Sequence, residues 1–153
     1  MRTVTTLSQL AAVTAVCALG TAAPALATPS SGVSVQTLTQ FDVPGALLPT
    51  PPGHPPTTGT VEVAVRRLEI APGGTTGWHS HAGHVDGMVV SGTLTRVMAD
   101  CTRVTSPAGS TVAETPDADH VGLNTGTTPV VVMLVTMLPK GAPLLTDAPA
   151  HCP

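Results

Sequence analysis

The sequence predicts an all-β domain, a sandwich or barrel of short strands. Three observations lead there. No stretch carries a sustained helical period of apolar residues. Short runs of apolar residues are instead separated at close intervals by Gly and Pro, the spacing of many strands joined by turns. The longest apolar run, Val130–Leu138, is rich in β-branched residues and reads as a central strand buried on both faces, ended by Pro139.

The other elements follow in order. Val33–Phe41 alternates loosely and reads as a first strand. Residues 42–60 hold Pro44, Pro49, Pro51, Pro52, Pro55 and Pro56. Proline fixes φ and removes a donor, which predicts an irregular, semi-rigid loop with His54 as a solvated loop histidine. Val61, Val63 and Val65 alternate with Glu62, Ala64 and Arg66, and Leu68 and Ile70 continue with a slipped phase. A bulge near Arg66-Arg67 accounts for the slip. Ala71-Pro72-Gly73-Gly74 is a turn. Trp78–His81 and Gly87–Val90 are short strands around a turn at Ala82-Gly83. Gly92 marks the next turn, and Thr93–Met98 is a strand. Val104–Gly109, with its Pro and Gly, reads as a loop, and Thr111–Glu114 and His120–Leu123 as strands.

The first residues look like an export signal rather than part of the fold. Arg2 gives a positive start, Ala11–Ala23 is apolar, and Ala25-Leu26-Ala27 is a small-x-small cleavage site before Thr28. Gly20 and Pro24 interrupt the run, which falls short of the roughly 20 apolar residues of a membrane span. Thr14-Ala15-Val16 before Cys17 makes a poor lipid-attachment site. The expected organisation is a signal peptide at 1–27, an N-terminal strand and proline-rich loop at 28–60, and the main domain with a C-terminal tail at 61–153. The expected location is extracellular.

Without Arg2 the chain keeps five basic against nine acidic residues, a net charge of −4 with neutral histidines. No basic cluster exceeds Arg66-Arg67, which argues against nucleic acid and anionic membrane as partners. Trp78 and Phe41 are the only aromatics, so the core must be aliphatic and a stacking platform is nearly absent. Cys101 and Cys152 survive cleavage. In an oxidising compartment such a pair predicts a disulfide, with two free thiols as the alternative.

Gly-Trp-His-Ser-His at 77–81 carries the functional information. Two histidines two residues apart on a strand share a face, so the imidazoles of His79 and His81 can converge on one ion at about 2.1 Å. A third histidine, His120, stands four residues before Asn124.

This pattern resembles the cupin superfamily of small jelly-roll barrels. The family's first motif is Gly, five residues, His-x-His, three or four residues, Glu, six residues, Gly. Here it reads Gly73, His79-Ser80-His81, Val85 and Gly92. The second is Gly, five residues, Pro-x-Gly, two residues, His, three residues, Asn. Here it reads Gly109, Pro116-Asp117-Ala118, His120 and Asn124, with Pro116 displaced by one position. The resemblance covers about residues 61–138. It implies a cupin jelly-roll β-barrel, also called a double-stranded β-helix, in which His79, His81 and His120 bind a metal.

The departure lies at Val85, where the family has its glutamate. Three neutral imidazoles disfavour hard ions such as Mn²⁺ and suit Zn, Fe, Cu or Ni as a divalent transition metal. Asp86 and His84 are candidates for an additional ligand, and His84 is equally a rim proton carrier. Strand alternation points Asp86 outward when Val85 points inward. His79-x-His81-x-Gly83-His84 also resembles the His-x-His-x-Asp-His of metallo-β-lactamase-type hydrolases, but Gly83 stands in the aspartate's place and the chain lacks that fold's helices.

The expected function is a secreted cupin that binds a metal and a small molecule in its barrel. A metal-dependent dioxygenase or related enzyme is the alternative, with His84 or Glu114 as acid-base groups. A metal-free structural cupin is the third reading. A homodimer is compatible with the sequence.

Overall fold

The computed structural model describes residues 28–48 and 57–153. The signal segment at 1–27, and residues 49–56 of the proline-rich loop with His54, lie outside the described residues. Among the described residues the chain forms ten strands and one short 3-10 turn at Gly45–Leu47. The strands are β1 (Ser31–Pro44), β2 (Thr60–Thr75), β3 (His79–Ser80), β4 (His84–Ser91), β5 (Thr93–Met98), β6 (Arg103–Pro107), β7 (Thr111–Glu114), β8 (His120–Leu123), β9 (Val130–Pro139) and β10 (Thr146–Asp147).

Every ladder is antiparallel. The main path runs β10-β3-β8-β2-β9-β4-β7, with β1 on β2 and the β5–β6 hairpin on β8. The sheet curls into a nearly closed barrel, as the sequence predicts. No helix among the described residues is long and apolar enough to cross a membrane.

Three short strands and the central one match their sequence pattern closely. β5, β7 and β8 have the expected limits, and β9 is central, paired with β2 on one side and β4 on the other. Several details differ. The turn expected at Ala71–Gly74 lies inside β2, where its register against β1 shifts between Ser31 and Val33. The strand β9 is buried on one face only: Val130 and Val132 are inaccessible, whereas Val135 is 38% exposed. Apolar residues on its outer face made the run look two-sided. Residues 103–107, expected in a loop, form β6 against β5. This strand is exposed except for Ser106, so it carries no apolar period to read. The bulge is in β1, between Thr37 and Thr39, while β2 keeps unbroken register with β9 from Val61 to Ile70. The inward series is Ala64, Arg66, Leu68 and Ile70; Val63 lies on the other face, beside Phe41 and Met137.

The interior divides into two clusters. Ile70, Val89, Leu94, Val112, Val130 and Val132 fill one end of the barrel. Trp78, Val97, Val121 and Ala148 pack outside β5 and β8, under the C-terminal tail, with Cys152 against them. Gly92 turns β4 into β5 at φ +72°, and a Cβ there would meet the Pro129 carbonyl oxygen at 2.7 Å. Only glycine fits that combination of backbone angle and close approach.

Candidate metal centre

His79 and His120 are direct cross-strand partners on β3 and β8. Opposite residues share a face, so both rings enter the barrel together. His81 follows His79 by two positions and enters from the same side. The ring centroids of His79 lie 4.9 Å from His81 and 4.4 Å from His120. One ligand atom from each residue falls within 4.8 Å of the other two, and all three residues are buried.

The backbone fixes how each ring is presented. His79 Nδ1 lies 2.9 Å from the Gly77 carbonyl oxygen, His81 Nδ1 2.6 Å from that of Leu144, and His120 Nδ1 2.8 Å from that of Ala118. A carbonyl only accepts, so each Nδ1 carries the proton and each neutral ring leaves its Nε2 lone pair free. Gly77 makes this possible at the first position. It sits at φ +70°, and a Cβ there would strike the Thr28 carbonyl oxygen at 2.2 Å.

A carboxylate stands beside two of the three rings. Glu114 Oε2 lies 3.2 Å from His81 Nε2 and 3.3 Å from His120 Nε2. Both Nε2 atoms are buried and aligned for no hydrogen bond. The other carboxylate oxygen, Oε1, is 3.7 Å from Arg96 Nη1, which also donates to the Ala113 carbonyl at 2.8 Å. Burial would raise the Glu114 carboxyl, but His120 and His81 hold it well below the usual carboxylate range. Burial works to lower the His120 pKa, and the Glu114 carboxylate overrides it and raises it. Burial pushes His79 down to about 4, only partly offset by the Gly77 carbonyl.

These features fit a cation. Three oriented imidazoles converge lone pairs on one buried point, with the Glu114 carboxylate beside two of them, and a metal ion satisfies the rings together. The cluster can hold one metal ion, and imidazole donors suit Zn, Cu, Fe or Ni. The cavity beside it has a volume of about 80 Å³, room for a few waters or a ligand of few atoms. Its walls include Val33, Leu68, Leu94, Val132 and Leu134.

The remaining expected residues separate cleanly. Val85 is 1% exposed and lines the cavity. His84 and Asp86 are exposed and line a different cleft with Ala82, Gly83 and Pro116. Neither joins the cluster, because the pleat of β4 turns both outward while Val85 turns inward. Asn124 is structural: its Nδ2 donates to the carbonyls of Ile70 and Thr128, and its Oδ1 accepts from the Gly126 N–H. Sequence reasoning gave Glu114 only an acid-base role and assigned none to Arg96. Position 96 lies two residues after Leu94 on an expected strand and so shares its face, which was the available signal that it points inward.

Cys101 and Cys152 are disulfide-bonded, with Cα atoms 5.7 Å apart. The bond ties the tail beside the site. Upstream of Cys152, Leu144 and Leu145 line the cavity, Leu144 orients His81, and β10 pairs with β3.

The family model of the cupin domain matches residues 66–136. The chain carries a cupin domain. That interval contains His79, His81, His120, Val85, Arg96 and Glu114. Among solved structures, the polyketide cyclase RemF from Streptomyces resistomycificus is similar at a TM-score of 0.56 and 15% identity, covering 82% of this chain and 80% of that one. The cupin domain of an XRE family transcriptional regulator from Enterobacter cloacae gives a TM-score of 0.48 at 18% identity, covering 71% and 97%. A predicted oxalate decarboxylase from Thermotoga maritima gives 0.44 at 23%, covering 53% and 83%. At these identities the likeness speaks to fold, and RemF carries that comparison. No curated protein matches the sequence.

Proposed function

We propose that the mature chain is an exported cupin that binds one divalent transition-metal ion through His79, His81 and His120 and holds a small molecule in the adjoining cavity. The observation that carries this reading is the set of three Nδ1–carbonyl contacts, which leave the Nε2 lone pairs free in a buried cluster. An aliphatic core does not require three such rings, and burying them without a common partner costs stability. Zn, Fe, Cu and Ni all suit the imidazoles. The cavity walls are mainly aliphatic, which favours a compact ligand with an apolar part.

Export is supported by the Ala25-Leu26-Ala27 signal and by a disulfide, a bond that persists in oxidising compartments. Sequencing the N-terminus of secreted protein tests this part: Thr28 is expected, and an intact Met1 contradicts it.

Metal analysis of purified mature protein tests the rest. Stoichiometric zinc or copper without turnover supports the binding reading. Iron accompanied by oxygen consumption supports a dioxygenase, for which three protein histidines leave open coordination positions. A protein that takes up no metal is a structural cupin.

A further inference from the structure

We propose that Glu114 is the fourth protein ligand of this centre, supplying from β7 the carboxylate that the cupin motif places at position 85. The inference rests on the metal-binding reading above and adds a ligand to it. Val85 and Glu114 are paired directly in the β4–β7 ladder. Such partners project from the same face with Cβ atoms roughly 5 Å apart. A carboxylate lost from one strand is therefore replaced from its neighbour without moving the barrel.

The distances to His81 and His120 agree with ligation. Ligands around a tetrahedral ion with bonds of about 2.0–2.1 Å stand roughly 3.3 Å apart. Glu114 Oε2 is 3.2 Å from His81 Nε2 and 3.3 Å from His120 Nε2. With bare Nε2 atoms, this places an anionic acceptor against two further acceptors, an arrangement that a shared cation satisfies. Arg96 supports the assignment from behind. Its Nη1 is held by the Ala113 carbonyl and stands beside Oε1, leaving Oε2 for the ion. Carboxylates that ligate metals are commonly steadied by such an outer partner.

The assignment changes which ions the site accepts. With Val85 alone in view, three neutral imidazoles disfavour hard ions. A carboxylate at 114 restores an anionic oxygen donor, so Mn²⁺ becomes a competent occupant beside Zn²⁺ and Fe²⁺.

The test measures Zn²⁺ affinity by chelator competition and Mn²⁺ affinity by electron paramagnetic resonance. The proteins are wild type, Glu114→Gln, Glu114→Val and the double variant Val85→Glu/Glu114→Val, each checked for folding by circular dichroism. Glu114→Gln keeps the side-chain shape and should bind Zn²⁺ roughly 10–100-fold more weakly. Glu114→Val should lose Mn²⁺ more completely than Zn²⁺, because the imidazoles alone still suit zinc. The double variant returns a carboxylate to the motif position and should regain most of the Mn²⁺ affinity. Wild-type affinity for both ions in Glu114→Gln overturns the assignment, as does a folded double variant no tighter than Glu114→Val. Absence of binding in the wild type would instead overturn the underlying metal reading, and this assignment with it.

Discussion

Val85 and Glu114 face each other across the β4–β7 ladder, and both line the cavity beside the three histidines. The apolar side chain occupies the position where the cupin motif has its acid, and the acid occupies the position opposite. Val85 is then a packing residue in the wall of a polar site. Truncating Val85 to Ala should cost about 1–3 kcal/mol in denaturant unfolding, through lost burial and a small void. Metal stoichiometry should stay unchanged, since the removed methyl groups offer no lone pair. Loss of the ion in a folded Val85→Ala protein would contradict this division of roles.

His81 and Asp86 sit five residues apart yet on different sides of the wall. His81 is 5% exposed inside the cluster, whereas Asp86 lines the outer cleft. His81→Ala should remove most bound metal, and Asp86→Ala should leave it nearly unchanged. Inductively coupled plasma analysis of the two variants distinguishes them. Equal loss in both would place Asp86 at the ion and contradict the observed β4 register.

Much of this was legible in the sequence, for physical reasons that differ by residue. The His79–His81 pair and the inward Val85 follow from a two-residue pleat, which is local. The limits of β5 follow from an alternating run between turns. Glu114 could be offered as an acid-base group but not placed beside the ligands, because its partner on β4 stands 29 positions earlier and the pairing is set by the barrel's topology. Strand β6 escaped because an exposed edge needs no apolar face. The bulge in β1 was attributed to β2 because the apolar phase of β2 changes there, although its register against β9 does not.

Cys101 and Cys152 close a segment of 51 positions and anchor the tail that carries Leu144. Replacing both by Ser should lower unfolding free energy by about 4 kcal/mol in the chain-entropy account. It should also speed metal release, because the Leu144 carbonyl that orients His81 belongs to the loosened tail. Chelator-driven release kinetics in the folded double variant check the second effect; an unchanged rate would show that the β10–β3 pairing alone holds Leu144 in place.

His79 should remain neutral in the metal-free protein until about pH 4, because burial disfavours its charged form. In the unfolded chain the ring protonates near 6.5, so between these values the unfolded state binds the extra proton. The His79 contribution is therefore neutral to stability above about pH 6.5 and destabilising as pH falls towards 4, by about 3 kcal/mol in all. His120 has the opposite sign: its raised pKa contributes stability below 6.5 that is lost as pH rises through the folded value. Ring-proton nuclear magnetic resonance separates the two. A His79 midpoint near 6.5 would contradict its burial against the other rings.

The central claim is that His79, His81 and His120 form one metal centre, and calorimetric titration of the metal-free mature protein with Zn²⁺ tests it most directly. One ion per chain should bind saturably. The heat should vanish in a folded variant with all three histidines replaced by Gln. No saturable binding by folded wild-type protein, or equal binding by the triple variant, would contradict the account.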